Sequence, residues 1–475
     1  MGVLILIESI FLLFMVFIPL FYNENDARYF LISSLISAVF GGMFFLLGRK
    51  AMPTMGKHEG AVIITIVWII FTLFGMLPYW LSGSIPSFTD AFFETISGFT
   101  TVGATVLKDV ESLSHGMLFW RSFTHFVGGI GIIMLSITIL PFFGIRGNQL
   151  TTEASSVKRD KIHAKISETI KRLFFIYICL NIFEIVLLFV GGMDLFDAVC
   201  LSFSTIATGG FSTKNNSIAY WNSPFIQYVI AIFMLLSGIN FVIYYFGIKG
   251  KFSKIKENEE FRYYLILFVI FAAVVIVSQI DFSKEFNFAN IEKSFRNGFF
   301  TTASLMTTTA FGTVDYLLWK PAIVIILLFV MIVGGSAGST SGGLKIIRLV
   351  MAVKTCYYQF KRIVHPNAVI PVRYNNSLAQ NETVTNILTY ILLYLIVIWV
   401  GSLILSFAGF SLQDAFGTIV SCLSGVGAGI SVAGPFGSYA DISLFGKWFL
   451  SFVMLLGRLE LFTVLLLFTP IFWRN

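Results

Sequence analysis

Apolar residues along this chain gather into runs of membrane-spanning length: residues 3–21, 29–47, 61–81, 117–140, 172–192, 224–248, 262–280, 321–335, 386–408 and 446–469. A helix crosses the hydrocarbon core with about 20 mostly apolar residues. The pattern therefore predicts an all-α polytopic membrane protein with ten spans, the eighth short and ending in glycine. Residues 3–21 resemble a secretory signal in length, but no small-residue cleavage site follows, and Pro19 and the polar stretch 23–28 lead into a second apolar run. We read them as a retained helix.

Between the spans lie shorter apolar stretches of 10 to 15 residues, too short to cross and too apolar for solvated loops. They predict re-entrant half-helices. Aligned, they expose an internal repeat: Asp90 and Gly103, Asp197 and Gly210, Asn297 and Ala310, and Asp414 and Gly427 each stand 13 positions apart. Each unit reads as helix, short pore helix, polar strand, helix. Asp90, Asp197 and Asp414 are expected to cap the short helices rather than to bind ions. The units divide the chain into residues 59–145, 146–250, 251–365 and 366–475, preceded by two extra helices within 1–58.

Charge orients the bundle. Basic residues collect after every second span: Arg49, Lys50 and Lys57; Lys158, Arg159, Lys161, Lys165, Lys171 and Arg172; Lys249, Lys251, Lys254 and Lys256; and Lys345, Arg348, Lys354, Lys361, Arg362 and Arg373. The positive-inside rule places these segments and both termini in the cytoplasm. This explains the net charge of +7 by topology, with lipid as the surrounding partner and no nucleic acid. With 57% apolar and 12% charged residues, against roughly 25% charged in soluble domains, a bilayer is the natural solvent. Cys179, Cys200, Cys356 and Cys422 stand at unrelated spacings in or beside apolar runs and read as buried structural thiols rather than disulfides or metal ligands.

After each short helix comes a polar strand: residues 101–105 (TVGAT), 208–212 (TGGFS), 308–313 (TTAFGT) and 425–429 (GVGAG). A dehydrated cation needs rings of backbone carbonyls, and glycine lets the chain turn them inward. No carboxylate lies in these strands, which argues against a calcium-type site. Four half-helix C-termini converging on one axis would favour a cation there. Close packing of small residues between membrane helices is the plainer alternative for any one loop.

These strands resemble the Trk/Ktr/HKT superfamily, together with Trp120-Arg121-Ser122-Phe123-Thr124, Gly128-Gly129-Ile130-Gly131, the run from Gly334 to Lys345, and Gly457-Arg458-Leu459-Glu460. The long third-repeat glycine run and the extra N-terminal helices look most like its TrkH branch. The resemblance implies potassium uptake across a bacterial cytoplasmic (inner) membrane, with no cofactor and K+ as the transported ion. It also implies a homodimer and a cytoplasmic Rossmann-type, TrkA-like subunit that binds nucleotide. The filter would comprise Thr101, Val102, Gly103, Thr208, Gly209, Gly210, Thr308, Thr309, Ala310, Gly425, Val426 and Gly427. Ala310 stands where the family usually has glycine; Gly312 would permit a shifted strand there. A less selective K+/Na+ transporter or a cation symporter is the alternative.

Unwound backbone at membrane depth survives where it faces protein or a wet cavity. The run containing Gly334, Gly335, Ser336, Gly338, Gly342, Gly343 and Lys345 therefore reads as a gate loop across the pore beneath the filter, a solvated linker being the alternative. Arg458, within the last span, costs roughly 2.5–3.5 kcal/mol unless wet or paired. It is expected to face the loop and hold its carbonyls, with Glu184 or Glu460 as the alternative partner. Arg121 reads as an interface residue snorkelling outward, and His125 as a packing histidine. The segment 334–338 also matches G-x-S-x-G, but an intramembrane serine hydrolase would need a histidine, and His58, His115, His163 and His365 fall outside the spans.

Overall fold

The computed structural model describes residues 1–49, 57–139, 159–280, 288–375, 377–430 and 434–473. Lys50 and Lys158 lie outside these residues, as do the side chains of Lys57, His58, Arg159, Lys161, His163 and Lys165. Among the described residues the regular structure is helical apart from one short hairpin, in which Arg373 faces Leu378. Apolar runs form the spans Gly2–Phe21, Ala27–Gly48, Val62–Ser82, His115–Met134, Glu168–Val190, Glu259–Gln279 and Asn381–Phe407. Two further runs form bent helix pairs, Pro224–Ser237 with Phe241–Ile248 at 94°, and Leu444–Arg458 with Leu461–Phe468 at 120°. The short eighth run forms Pro321–Val333 and stops at Gly334, whose φ of 68° leaves the helix. Every apolar run thus becomes helix, but the sixth and tenth are broken where continuous spans are expected.

The spans Gly2–Phe21 and Ala27–Gly48 pack through small residues: Ser9 and Ser34 exchange hydroxyl-to-carbonyl bonds at 2.9 and 2.8 Å. Such residues let membrane helices approach.

The half-helices are Phe88–Phe99, Leu195–Ile206, the C-terminal part of Phe288–Met306, and Leu412–Ser424. Their N-caps differ from expectation. Ser87, Asp194 and Ser411 accept from the N–H groups of Asp90, Phe196 and Asp414, so the expected caps sit one turn inside. There the carboxylates still oppose the positive helix end. Asp90 accepts from Lys447 Nζ at 2.6 Å, and Asp197 accepts from Thr213 Oγ1 at 2.7 Å.

Contacts between helices close the four units into a ring. Phe88–Phe99 packs on Lys57–Gly75, His115–Ile139 and Leu444–Arg458; Leu195–Ile206 packs on Arg159–Val190, Pro224–Ser237 and His115–Ile139. Phe288–Met306 meets Glu259–Gln279, Pro321–Val333 and Pro224–Ser237, while Leu412–Ser424 meets Asn381–Phe407, Leu444–Arg458 and Pro321–Val333. Each half-helix therefore touches both helices of its own unit and the last helix of the unit before it, and the first touches the last helix of the fourth.

Candidate functional site

Each half-helix ends in a tight turn repeated four times. The N–H of Thr101, Thr208, Thr308 and Gly425 donates to Gly98, Thr205, Leu305 and Cys422 carbonyls at 3.0, 2.9, 3.2 and 3.3 Å. The next residue in each strand, Val102, Gly209, Thr309 or Val426, donates to Ser97, Ser204, Ser304 or Ser421 carbonyl at 2.8–2.9 Å. These bonds satisfy the orphan carbonyls of the helix end and reverse the chain.

Left-handed residues alternate along the strands. Thr101, Thr208, Thr308 and Gly425 have φ of 50°, 55°, 58° and 73°; two residues on, Gly103, Gly210, Ala310 and Gly427 have 79°, 82°, 61° and 82°. Alternating hand brings successive carbonyls to one side, the arrangement a dehydrated cation needs. Three non-glycine threonines and one alanine hold a conformation costing roughly 1–2 kcal/mol each. Such strain clusters at functional sites.

The strands face one another edge to edge. A Cβ on Gly103 would stand 2.0 Å from Gly209 carbonyl oxygen, one on Gly210 2.0 Å from Thr309, and one on Gly427 2.1 Å from Val102. Strand one thus abuts strand two, strand two abuts three, and strand four abuts one. The filter strands expected from the sequence thus meet at three junctions, and Tyr316, beyond the third strand, donates its hydroxyl to the Gly429 carbonyl of the fourth at 2.8 Å. Ala310 is in register with the three glycines, so the shifted strand that Gly312 would permit does not form.

Behind the ring, Arg121 is buried rather than snorkelling. Its Nε donates to Glu94 at 2.7 Å, its Nη1 donates to Ser212 carbonyl at 2.9 Å, and its guanidinium lies 3.5 Å over the Phe211 ring. Beside it, His125 stacks on Phe211 and its Nδ1 meets Ser204 Oγ at 3.2 Å. Two of the four thiols depart from expectation: Cys200 and Cys422 are buried, but Cys179 and Cys356 are exposed.

Beneath the ring lies the glycine-rich run. Ser336, Ser339 and Thr340 are fully buried, so the run is no solvated linker. Leu344 N–H reaches Ile332 carbonyl at 2.9 Å and Ile346 N–H reaches Gly335 at 3.0 Å, drawing the two ends together. Gly334 and Gly343, with φ of 68° and 74°, meet at this neck, where a Cβ on Gly343 would lie 2.7 Å from Gly334 Cα. Tip and neck together are bound to the ends of three half-helices. Thr340 Oγ1 donates to Ile206 carbonyl at 2.9 Å, Ser341 Oγ to Thr307 carbonyl at 2.9 Å, and Gly343 N–H to Ser424 carbonyl at 2.8 Å. Gly342 N–H also donates to Thr308 Oγ1 at 2.7 Å, and Lys345 Nζ folds back onto Ser341 carbonyl.

Arg458 Nη1 donates to Thr340 carbonyl at 2.8 Å. Its alternative partner Glu460 is taken by Arg348 at 2.6 Å. Ser336 Oγ has no hydrogen-bond partner, and His125 faces Ser204. Among the described residues the hydrolase reading therefore has no nucleophile–base pair.

Sequence reasoning missed three supports of the loop. Gly238 carbonyl, freed at the break in the sixth run, accepts Ser336 N–H at 2.9 Å; Phe241 N–H reaches Gly338 carbonyl at 3.2 Å; and Glu260 accepts Ala337 N–H at 2.6 Å. The available signal was Gly238 followed by Asn240, a helix-stop and helix-start pair inside an apolar run.

The family model of the TrkH cation transport proteins matches residues 27–474. The chain is similar to the Trk system potassium uptake protein TrkH of Escherichia coli (strain K12), 35% identical over 100% of this chain and 98% of that one. It is 32% identical to the Trk system potassium uptake protein TrkG of the same strain, over 100% and 97% of the two chains. The crystal structure of the potassium transporter TrkH from Vibrio parahaemolyticus superimposes with a TM-score of 0.91 at 32% identity, covering 100% of this chain and 98% of that one. Matched from end to end in sequence and in fold, the chain belongs to the TrkH family of cation transport proteins.

Proposed function

We propose that this protein carries potassium into the cell across a bacterial cytoplasmic membrane, through a filter lined by residues 101–103, 208–210, 308–310 and 425–427. The set of four neutral, alternately handed strands, abutting at three junctions, carries the reading. It offers carbonyl oxygens and threonine hydroxyls, with no carboxylate in any strand. The relatives' names, potassium uptake protein and potassium transporter, support it. A membrane potential of about 100 mV supplies roughly 2.3 kcal/mol per charge, enough for about 50-fold accumulation without a coupling ion.

In this reading residues 334–345 gate the path, since the loop ties three half-helix ends together directly beneath the ring. Arg458 contributes a positive charge there. The four units at 59–145, 146–250, 251–365 and 366–475 act as one pore. The relatives belong to a "Trk system", consistent with a nucleotide-binding subunit docking on the basic segments at the cytoplasmic side, and with a homodimer. Both termini lie in the cytoplasm under the same charge rule. A second reading, shared passage of sodium, is favoured by one observation, the methyl of Ala310 in the ring.

The test is ion flux through purified protein in liposomes at a set voltage. Potassium and rubidium should pass in preference to sodium; equal passage of sodium refutes the filter reading. Copurification with a nucleotide-binding subunit tests the partner.

A further inference from the structure

The Glu94–Arg121 pair is the one ion pair among the described residues in which both side chains are almost wholly buried, at 0% and 3% exposure. Glu94 projects from the first half-helix at a position where the other units carry Leu201, Thr301 and Thr418. The charge is therefore peculiar to one unit. Its carboxylate takes three donors: Oε1 accepts from Arg121 Nε at 2.7 Å, Oε2 accepts from Val106 N–H at 2.9 Å, and the single Thr105 hydroxyl proton is shared between the two oxygens at 2.9 and 3.0 Å. Arg121 continues the chain into the second unit through Ser212 carbonyl at 2.9 Å and the Phe211 ring. Thr105 lies two residues beyond Gly103, and Ser212 two beyond Gly210. One carboxylate and one guanidinium thus grip the same point of two adjacent filter strands.

The other two strands are held by neutral groups. Gly312 N–H donates to Ser217 Oγ at 3.2 Å, and the Tyr316 and Tyr439 hydroxyls donate to Gly429 and Gly427 carbonyls at 2.8 and 2.7 Å. Charge-assisted bonds are roughly twice as strong as neutral ones, and in a dry interior no water competes for them. The pair is neutral overall, so it adds stiffness to the ring without adding a net field.

We propose that Glu94 and Arg121 form a charged strut that fixes the exits of the first two filter strands and thereby sets potassium-over-sodium discrimination. Both are positioning residues; neither lies within the filter strands. The proposal rests on reading the ring as a potassium filter. Removing one member outright would leave a buried unpaired charge and endanger folding, so two milder variants are used in the full chain. Thr105→Val keeps the shape and the ion pair but removes the hydroxyl that bridges both carboxylate oxygens. Arg121→Lys keeps the charge but cannot span Glu94 and Ser212 with a planar fork.

Initial uptake of sodium and rubidium into liposomes is measured at one voltage, normalised to inserted protein. The expected result is a sodium-to-rubidium ratio raised by about tenfold in both variants, the scale of losing one charge-assisted bond, with rubidium still entering. A merely structural role would lower the amount of inserted protein and leave the ratio alone. A selective parent with Thr105→Val at the parent's ratio overturns the strut, even if Arg121→Lys fails to insert. An unselective parent overturns the filter reading and the strut with it.

Discussion

Ala310→Gly isolates the one position at which the ring departs from three glycines. At the other junctions a Cβ would approach a neighbouring carbonyl oxygen to 2.0–2.1 Å, whereas real Cβ contacts essentially never fall below 3.0 Å. The cyclic order of the other three junctions predicts that the Ala310 methyl faces the fourth strand at Val426. A junction holding that methyl should stand about 1 Å wider than its counterparts, the difference between those two distances. Two effects on stability nearly cancel. Glycine relieves roughly 1 kcal/mol of left-handed strain at φ 61°, but the freer unfolded chain costs about 0.4–1 kcal/mol. Thermal unfolding should shift little. Selectivity should change more, because the fourth carbonyl can close on the ion. If the tighter ring favours potassium by about 0.5–1 kcal/mol, discrimination against sodium rises roughly 2- to 5-fold. Paired rubidium and sodium uptake in liposomes reads this directly. An unchanged or lowered potassium preference in a folded Ala310→Gly protein would refute the steric argument.

The remaining predictions concern the ring and the loop. Gly103→Asp should abolish uptake while the protein still inserts, since its Cβ would fall 2.0 Å from Gly209 carbonyl oxygen, backbone against backbone; measurable rubidium uptake would count against a closed ring. Deleting residues 336–341 removes the Thr340 and Ser341 ties to the second and third half-helices and should raise flux at unchanged selectivity. If the inserted deletion protein conducts no faster than the parent, the run is a packing element and not a gate. Arg458→Ala frees Thr340 carbonyl and removes a positive charge from a low-dielectric region, so uptake should rise several-fold; a fall in well-inserted protein contradicts the gating role.

What the sequence revealed follows from how local each signal is. The spacing of 13 residues between half-helix start and filter glycine is legible because it repeats along the chain, and the apolar runs declare their helices by length alone. Arg458 is equally legible, since an arginine inside an apolar run needs a reason to be there. The caps were misplaced by one turn because the aspartates are the more obvious anions. Yet Ser87 and Asp90, and Ser411 and Asp414, form the Ser-x-x-acid pattern in which the serine is the cap. Arg121 illustrates a different limit. Near the end of its run, a lone arginine reads as snorkelling to water; what overrides this is Glu94, 27 residues away on another helix, and Ser212 on a third segment. No periodicity links the three. The same holds for the loop, whose glycines mark a departure from helix but whose position is decided by Ile206, Thr307 and Ser424 carbonyls from three separate units. Helix ends leave such carbonyls unsatisfied, and a membrane interior offers no water to answer them. A polar loop beneath the ring therefore meets a demand that the half-helices themselves create, so moving the loop aside requires another partner, water or a cation, for the same oxygens.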